Sequence, residues 1–289
     1  MKHDSLPSLQ FGGADVLVED PEGCFIVPGA DVLIKTSEST AEWPLVHSAV
    51  LAAASEVFKI ELTGWGLTKE NADIIFHPVT GKEVKVKVLE LCVVEDTFLL
   101  VGKPTNRRPA HLRDQNMALP ALCLAVPWWP ENQRFYNDLP VTTSAIRVLL
   151  ALIYGAKITH KNILWSWGSE DYSIDFQING NLMAIMATTA AYAEYYQCLP
   201  VVRDTIAGVL TATPGYWVGV GFSPKAHALL AIKLENEKMF NDAMRHLIAQ
   251  AGMEMDPSHL RGMETCAQWE DVAEVVDMLV QDVQNMYGP

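Results

Sequence analysis

Four aromatic side chains stand close together in a proline-rich stretch near the middle of the chain, at Trp128, Trp129, Phe135 and Tyr136. Exposed aromatic rings in such a loop can form the hot spot of a protein–protein interface or a platform for stacking sugar rings. The alternative is that the loop folds back and its rings cover a sheet. That interpretation is favoured, because large aromatic side chains are usually mostly buried. These four residues are the candidate partner-binding residues of the chain.

Three acidic residues near the aromatic stretch offer carboxylate chemistry, at Asp114, Glu131 and Asp138. Hydrolysis of a glycosidic bond needs a general acid and a second carboxylate at a defined separation. Spacing along the chain does not determine that separation in space. A small-molecule or glycan-acting enzyme, or a binding protein that uses the loop at 127–136, is therefore the alternative functional class.

His47 and Ser48 are adjacent, and a histidine beside a serine raises the question of a nucleophile and its base. Neighbouring residues on a strand point to opposite faces, and no orienting carboxylate is evident, so His47 is predicted to be structural. The other histidines are scattered without the spacing of metal ligands. The common nucleotide-binding, serine hydrolase and zinc protease motifs are also missing. We predict a non-enzymatic protein with no catalytic, cofactor or metal site.

The composition is that of an ordered, acidic protein. Of its 289 residues 49% are hydrophobic and only 19% are charged, and the net charge is −14. Nucleic-acid surfaces need clustered Lys and Arg, and anionic membranes repel an acidic chain. We therefore expect neither a nucleic-acid partner nor a membrane partner.

Cysteine spacing and hydropathy indicate the compartment. The five cysteines are far apart and form no C-x-x-C pair, which is typical of thiols in a reducing environment. The first residues contain no apolar signal-peptide core, and the apolar stretch near 182–193 is too short to span a bilayer. The expected location is intracellular, in the cytoplasm or nucleus.

The stretch 30–62 must position His47 and Ser48. Apolar and β-branched residues predict a strand over 31–35, and a second short strand ends at His47 after a polar turn. A single helix then runs to residue 62, with Ser48 as its cap. Its apolar face is formed by Val50, Leu51, Ala54, Val57 and Phe58.

The aromatic stretch follows a predicted sheet. Strands are expected at 72–76, at 84–88 and at 97–102, and residues 89–94 either extend the second strand or form a neighbouring one. Prolines punctuate the next residues, and 103–140 is predicted to be an inserted loop.

The second half of the chain is predicted to be helical. One helix runs over 143–154, and Gly155 suits the position just after its end. Residues 159–181 form a second predicted insertion. A helix over 182–196 follows, and Pro200 suits the first turn of the next one.

Helices also continue beyond Pro214, and the clearest of them is predicted at 265–286. Its apolar residues repeat at steps of three and four, at Trp269, Val272, Val276, Leu279, Val283 and Met286. Such a stripe can be the seam of a dimer. Its length of about two and a half heptads favours packing on the preceding helices instead.

Four segments together resemble the BTB/POZ family. Residues 31–58 follow the order D-V-x-[LI]-K, then V-H-[RS]-A-V-L-A-A-x-S-x-V-F. Residues 144–158 (SAIRVLLALIYGAKI) look like the family helix that a Tyr-x-Gly sequence closes, and 191–200 (AYAEYYQCLP) resembles a later family segment. Residues 229–250 are similar to helical regions that follow the BTB domain in many fungal proteins.

The resemblance implies an α+β fold in which a helical cluster packs on a small sheet. It divides the chain into an N-terminal extension with an extra strand (1–29), a BTB/POZ-like domain (30–212) and a helical C-terminal region (213–289). The domain carries the two insertions, at 103–140 and 159–181.

The function that the resemblance implies is protein–protein interaction. Proteins of this family act as homodimerising scaffolds or as substrate adaptors of cullin-based ubiquitin ligases. The expected partners are therefore proteins, either a second copy of the chain or a cullin.

Overall fold

The structure is a computed structural model that describes residues 29–36, 43–63, 72–76, 82–94, 97–102, 139–159, 176–213, 215–222, 224–252 and 278. Five strands and eight helices lie within these ranges. In chain order they are β1 (Val32–Lys35), β2 (Leu45–Val46), α1 (Ser48–Ala54), α2 (Glu56–Thr63), β3 (Ala72–Phe76), β4 (Glu83–Val94), β5 (Thr97–Gly102), α3 (Leu139–Ile153), α4 (Phe176–Tyr195), α5 (Leu199–Ala212), α6 (Tyr216–Phe222), α7 (Pro224–Lys233) and α8 (Glu237–Gly252).

The strands form one small mixed sheet around β4. β1 is antiparallel to β2 and parallel to β4, whereas β3 and β5 are both antiparallel to β4. Lys87 faces both Val32 of β1 and Ala72 of β3, so β3 lies on the edge of β4 opposite β1. β5 occupies the same edge further along. A small sheet with several helices confirms the predicted α+β class.

Alternation along the strands divides the sheet into two faces. Val32, Ile34 and Leu89 point towards the helices and belong to the main hydrophobic core. Leu33 and Val88 point the other way, into a smaller cluster that also contains Val86, Leu45 and Ala30. The sheet is therefore apolar on both sides around β1.

The predicted helix over 48–62 is wrong in one respect, because Ser55 divides it into α1 and α2. Ser55 has extended backbone angles (φ −147°, ψ 123°). Its hydroxyl accepts a hydrogen bond from the Phe58 N–H at 3.0 Å, and it donates to the carbonyl of Tyr196. Ser55 thus caps α2 and ties it to the turn after α4.

The start of α1 also differs from the prediction. The cap position is His47 rather than Ser48, and the His47 side chain makes no capping hydrogen bond. Ser48 is the first residue of the helix, and its backbone N–H donates to the side chain of Asp31, the residue just before β1. The cap function therefore comes from a side chain distant in sequence.

The helices in the second half of the chain occur in the predicted order, but α3 and α4 begin earlier than predicted. α3 begins at Leu139, because a proline such as Pro140 is tolerated in the first turn. α4 begins at Phe176, so the end of the predicted 159–181 insertion is helical. Gly155, with φ +69°, stands just after α3 as predicted, and Pro200 lies in the first turn of α5.

The helices after α5 share a core with the rest of the fold. Tyr216 of α6, Leu230 of α7 and Leu247 of α8 belong to the same hydrophobic cluster as Val32 of β1. On the surface, Lys233 is paired with Glu194 of α4, and Arg203 of α5 is paired with Glu235. Such exposed pairs contribute little, so the apolar contacts hold these helices in place.

Several predictions concern residues outside these ranges. They are the extra strand expected within 1–29, most of the two insertions, and the helix at 265–286 apart from Met278, which is helical. None of the helices within the described part of the chain is long and apolar enough to cross a membrane.

Candidate functional site

A polar cluster lies where β1, α1 and the end of α3 meet. One carboxylate oxygen of Asp31 accepts the Ser48 backbone N–H, and the other accepts the Ser48 hydroxyl, each at 2.6 Å. The Asp31 backbone is held as well, because its N–H donates to the carbonyl of Val46 and its carbonyl accepts from Lys87. Asp31 is therefore a fixed anchor that places a negative charge at the N-terminus of α1.

His47 is held from the opposite side by Tyr154. The Tyr154 hydroxyl accepts the His47 backbone N–H at 2.6 Å and lies 3.2 Å from Nδ1 of the imidazole. Burial raises the pKa of Tyr154 to about 12, the bond from His47 opposes that shift, and the charge of Asp31 adds to it. Tyr154 is thus a neutral phenol at physiological pH.

This geometry does not form a nucleophile and base. The Ser48 hydroxyl donates to Asp31, whereas Nδ1 of the His47 ring lies beside the Tyr154 hydroxyl. The carboxylate that the sequence did not reveal is therefore present, but it binds the serine directly instead of orienting the histidine. Within the described ranges no group of three or more potential metal ligands occurs either.

The other residues that the sequence singled out belong to the stretch between β5 and α3. Trp128, Trp129, Phe135 and Tyr136 all lie outside the described residues. The same is true of the three candidate acids, Asp114, Glu131 and Asp138.

An apolar surface appears instead on β3. Ile74 is 63% exposed and Phe76 is 70% exposed, and the two side chains stand on the same face because they are two residues apart. Ala72 lies on that face as well. We call these three residues, Ala72, Ile74 and Phe76, the β3 patch. Exposed apolar groups side by side on a strand are typical of interaction surfaces.

Charged residues of β4 border the β3 patch on one side. Glu83 lies opposite Phe76, Lys85 opposite Ile74, and Lys87 opposite Ala72. Lys87 is also anchored, since its Nζ donates to the carbonyl of Leu62 at 2.8 Å. The patch is therefore an apolar strip beside a row of one acidic and two basic side chains.

The opposite face of β3 is tied into the sheet. Asp73 is paired with Lys35 at 3.5 Å, and the Lys35 Nζ also lies 4.8 Å from the centre of the Trp43 ring. Ile75 packs against the small cluster on that face. The sequence predicted the strand correctly, but the run Ala-Asp-Ile-Ile-Phe does not tell which of its faces the rest of the fold covers.

Comparison of the chain with known protein families, with curated proteins and with solved structures finds no match. Its function therefore has to be inferred from its own residues and contacts.

Proposed function

We propose that the chain is a non-enzymatic protein–protein interaction module with a BTB/POZ-like fold. It acts as a homodimerising scaffold or as a substrate adaptor for a cullin-based ubiquitin ligase. The observation that carries the proposal is the exposure of Ile74 and Phe76 side by side on an edge strand. The backbone N–H of His47 and both the backbone N–H and the hydroxyl of Ser48 instead make hydrogen bonds within the fold.

The family-like residues support the BTB/POZ-like part of the proposal by the positions they occupy. Asp31 and Ser48 join the first strand to the first helix. Tyr154 and Gly155 close α3 against His47, and Pro200 opens α5. A family motif is expected to consist of such residues, since they determine how the elements meet.

Light scattering coupled to size exclusion tests the scaffold role. Over a wide concentration range a homodimeriser reaches a mass near twice 32.0 kDa. A mass that stays at the monomer value at every concentration contradicts this role.

Calorimetric titration with a purified cullin N-terminal region tests the adaptor role. A saturable heat signal supports it, and a matched titration with bovine serum albumin controls for non-specific association. A chain that remains monomeric and also gives no heat signal with cullins would contradict both roles and leave the proposed function without support.

A further inference from the structure

β3 offers an edge to which a further strand can be added. Among the strands in the described ranges it pairs only with β4, so within those ranges its outer edge is unpaired. The β3 patch stands beside this edge, with Ile74 and Phe76 largely exposed. An unpaired strand edge next to apolar side chains is a template for pairing with another strand.

We infer that a second copy of the chain occupies this edge, with the two β3 strands antiparallel and Ile74 of one protomer opposite Ile74 of its partner. The inference rests on the self-association proposed above and assigns it a surface. Directly opposed residues share a face of the sheet, and side chains alternate between the faces along a strand. The two residue numbers of each pair must therefore be both even or both odd. Among such registers, the one centred on Ile74 pairs all five residues of β3.

The side chains fit each other in this register. Phe76 lies opposite Ala72 of the other copy, so the largest side chain of the β3 patch meets the smallest. Ile74 meets Ile74 between the two Phe76–Ala72 pairs. The six side chains then form one continuous apolar strip, in which aromatic and β-branched groups cover one another.

The charges are also compatible with a second copy. Asp73, the single charged residue of β3, lies opposite Ile75 and is already paired with Lys35. In each outer row Glu83 of one copy faces Lys87 of the other across the apolar strip. The two Lys85 side chains stand three strand spacings apart, about 14 Å, which exceeds the Debye length of about 8 Å at physiological salt.

The interface is small, so the dimer is expected to depend on concentration. It is also expected to strengthen as salt is added, because two copies with a net charge of −14 each repel one another at low ionic strength.

Cysteine cross-linking of the full chain tests the register. Under mild oxidation Ile74→Cys is expected to form a covalent dimer, at a yield about tenfold above wild type, because directly opposed Cβ atoms lie about 4.5–5.5 Å apart and need only a small shift to form a disulfide. Phe76→Cys is the matched control, because the two substituted side chains of the dimer lie about 13 Å apart along the strands. Its yield of covalent dimer is expected to stay at the wild-type level. The double variant Ala72→Cys with Phe76→Cys is expected to cross-link again, since these positions oppose each other.

A charge at the centre of the interface tests the inference in a second way. Ile74→Lys places two like charges opposite each other and is expected to weaken dimerisation by at least about tenfold. Val201→Lys is the control, because Val201 is an exposed apolar residue of α5. Cooperative urea unfolding of both variants, measured at concentrations where the wild type is monomeric, verifies that they fold.

The possible outcomes distinguish failure of the proposed interface from failure of the proposed function. A dimer that survives Ile74→Lys, with no Ile74→Cys cross-link, overturns this interface but leaves self-association standing. A monomeric chain that binds a cullin overturns the interface and keeps the adaptor role. If the single variant Phe76→Cys cross-links with the same yield as Ile74→Cys, the proposed register is overturned.

Discussion

Asp31 joins the first strand to the first helix through two hydrogen bonds to Ser48. Because the acceptor is charged and half-buried, we expect Asp31→Ala to lower the free energy of unfolding by about 1.5–3 kcal/mol. Ser48→Ala is the matched control and is expected to cost about 1 kcal/mol, since the bond from its backbone N–H remains. Urea unfolding measures both. Equal losses in the two variants would mean that the backbone bond to Asp31 contributes nothing.

Tyr154 predicts how stability depends on alkaline pH. Burial raises the pKa of its phenol to about 12 in the folded chain, whereas an unfolded chain has a value near 10. The neutral form is favoured by folding, so this stabilisation is complete below about pH 10 and is lost as the pH rises towards about 12. The free energy of unfolding should therefore fall over that interval.

Tyr154→Phe provides the check on this pH dependence. The variant loses the hydrogen bond from His47 at every pH, and its stability should decline less steeply between about pH 10 and about pH 12. Part of the slope remains, because burial also raises the pKa values of Tyr192, Tyr196 and Tyr216. Identical slopes in the variant and the wild type would contradict the role assigned to Tyr154.

The ends of α3 and α4 share one geometry but use different residues. After α3, Gly155 takes φ +69°, and the N–H groups of Gly155 and Ala156 bond back to the helix. After α4, Gln197 takes φ +56° with the equivalent pair of bonds. Both are helix ends closed by a left-handed residue, and only glycine adopts that conformation without steric cost.

Opposite substitutions at these two helix ends should have opposite effects. Gly155→Ala is expected to destabilise the protein by about 1 kcal/mol, purely through the backbone, because nothing lies within 4 Å of the added Cβ. Gln197→Gly is expected to stabilise it by up to about 1 kcal/mol, because it relieves the positive φ. Thermal unfolding measures both shifts, and shifts of the same sign would contradict this account.

These elements also show what the sequence could and could not predict. Gly155 was predicted to follow a helix end because a glycine after an apolar helical pattern indicates one. Gln197 gives no such indication in the sequence. The break at Ser55 was missed because the apolar periodicity continues through it and the cause, the bond to Tyr196, lies 141 residues away. The exposure of Ile74 also depends on the tertiary fold, because Ile74 is on the sheet face that the helices cover at β1 but not at β3.

The contacts of the candidate polar site were unpredictable for the same physical reason. His47 and Ser48 were recognised as a pair from their adjacency. Their partners come from 107 residues later, in Tyr154, and 17 residues earlier, in Asp31. Only the tertiary fold brings these groups together, so the prediction that His47 is structural could be made from the residues but its hydrogen bonds could not.

The hydrophobic core extends from the sheet to the last helices described. Leu149 of α3 and Leu230 of α7 are both buried and belong to the same cluster, although they fall on opposite sides of the boundary expected at 212. α6 packs against both α4 and α5, which provides the physical connection. A continuous core predicts that the sheet and the helices after α5 unfold together.

Two matched core substitutions test this cooperativity. Leu149→Ala and Leu230→Ala are each expected to cost about 2–5 kcal/mol, because each leaves a cavity in packed surroundings. Hydrogen exchange in rising urea should then show the amides of β4 and α8 losing protection at the same concentration in both variants. If Leu230→Ala instead releases α7 and α8 while β4 stays protected, the helices after α5 form a separate unit, and their apolar contacts with α4 and α5 act as an interface between domains.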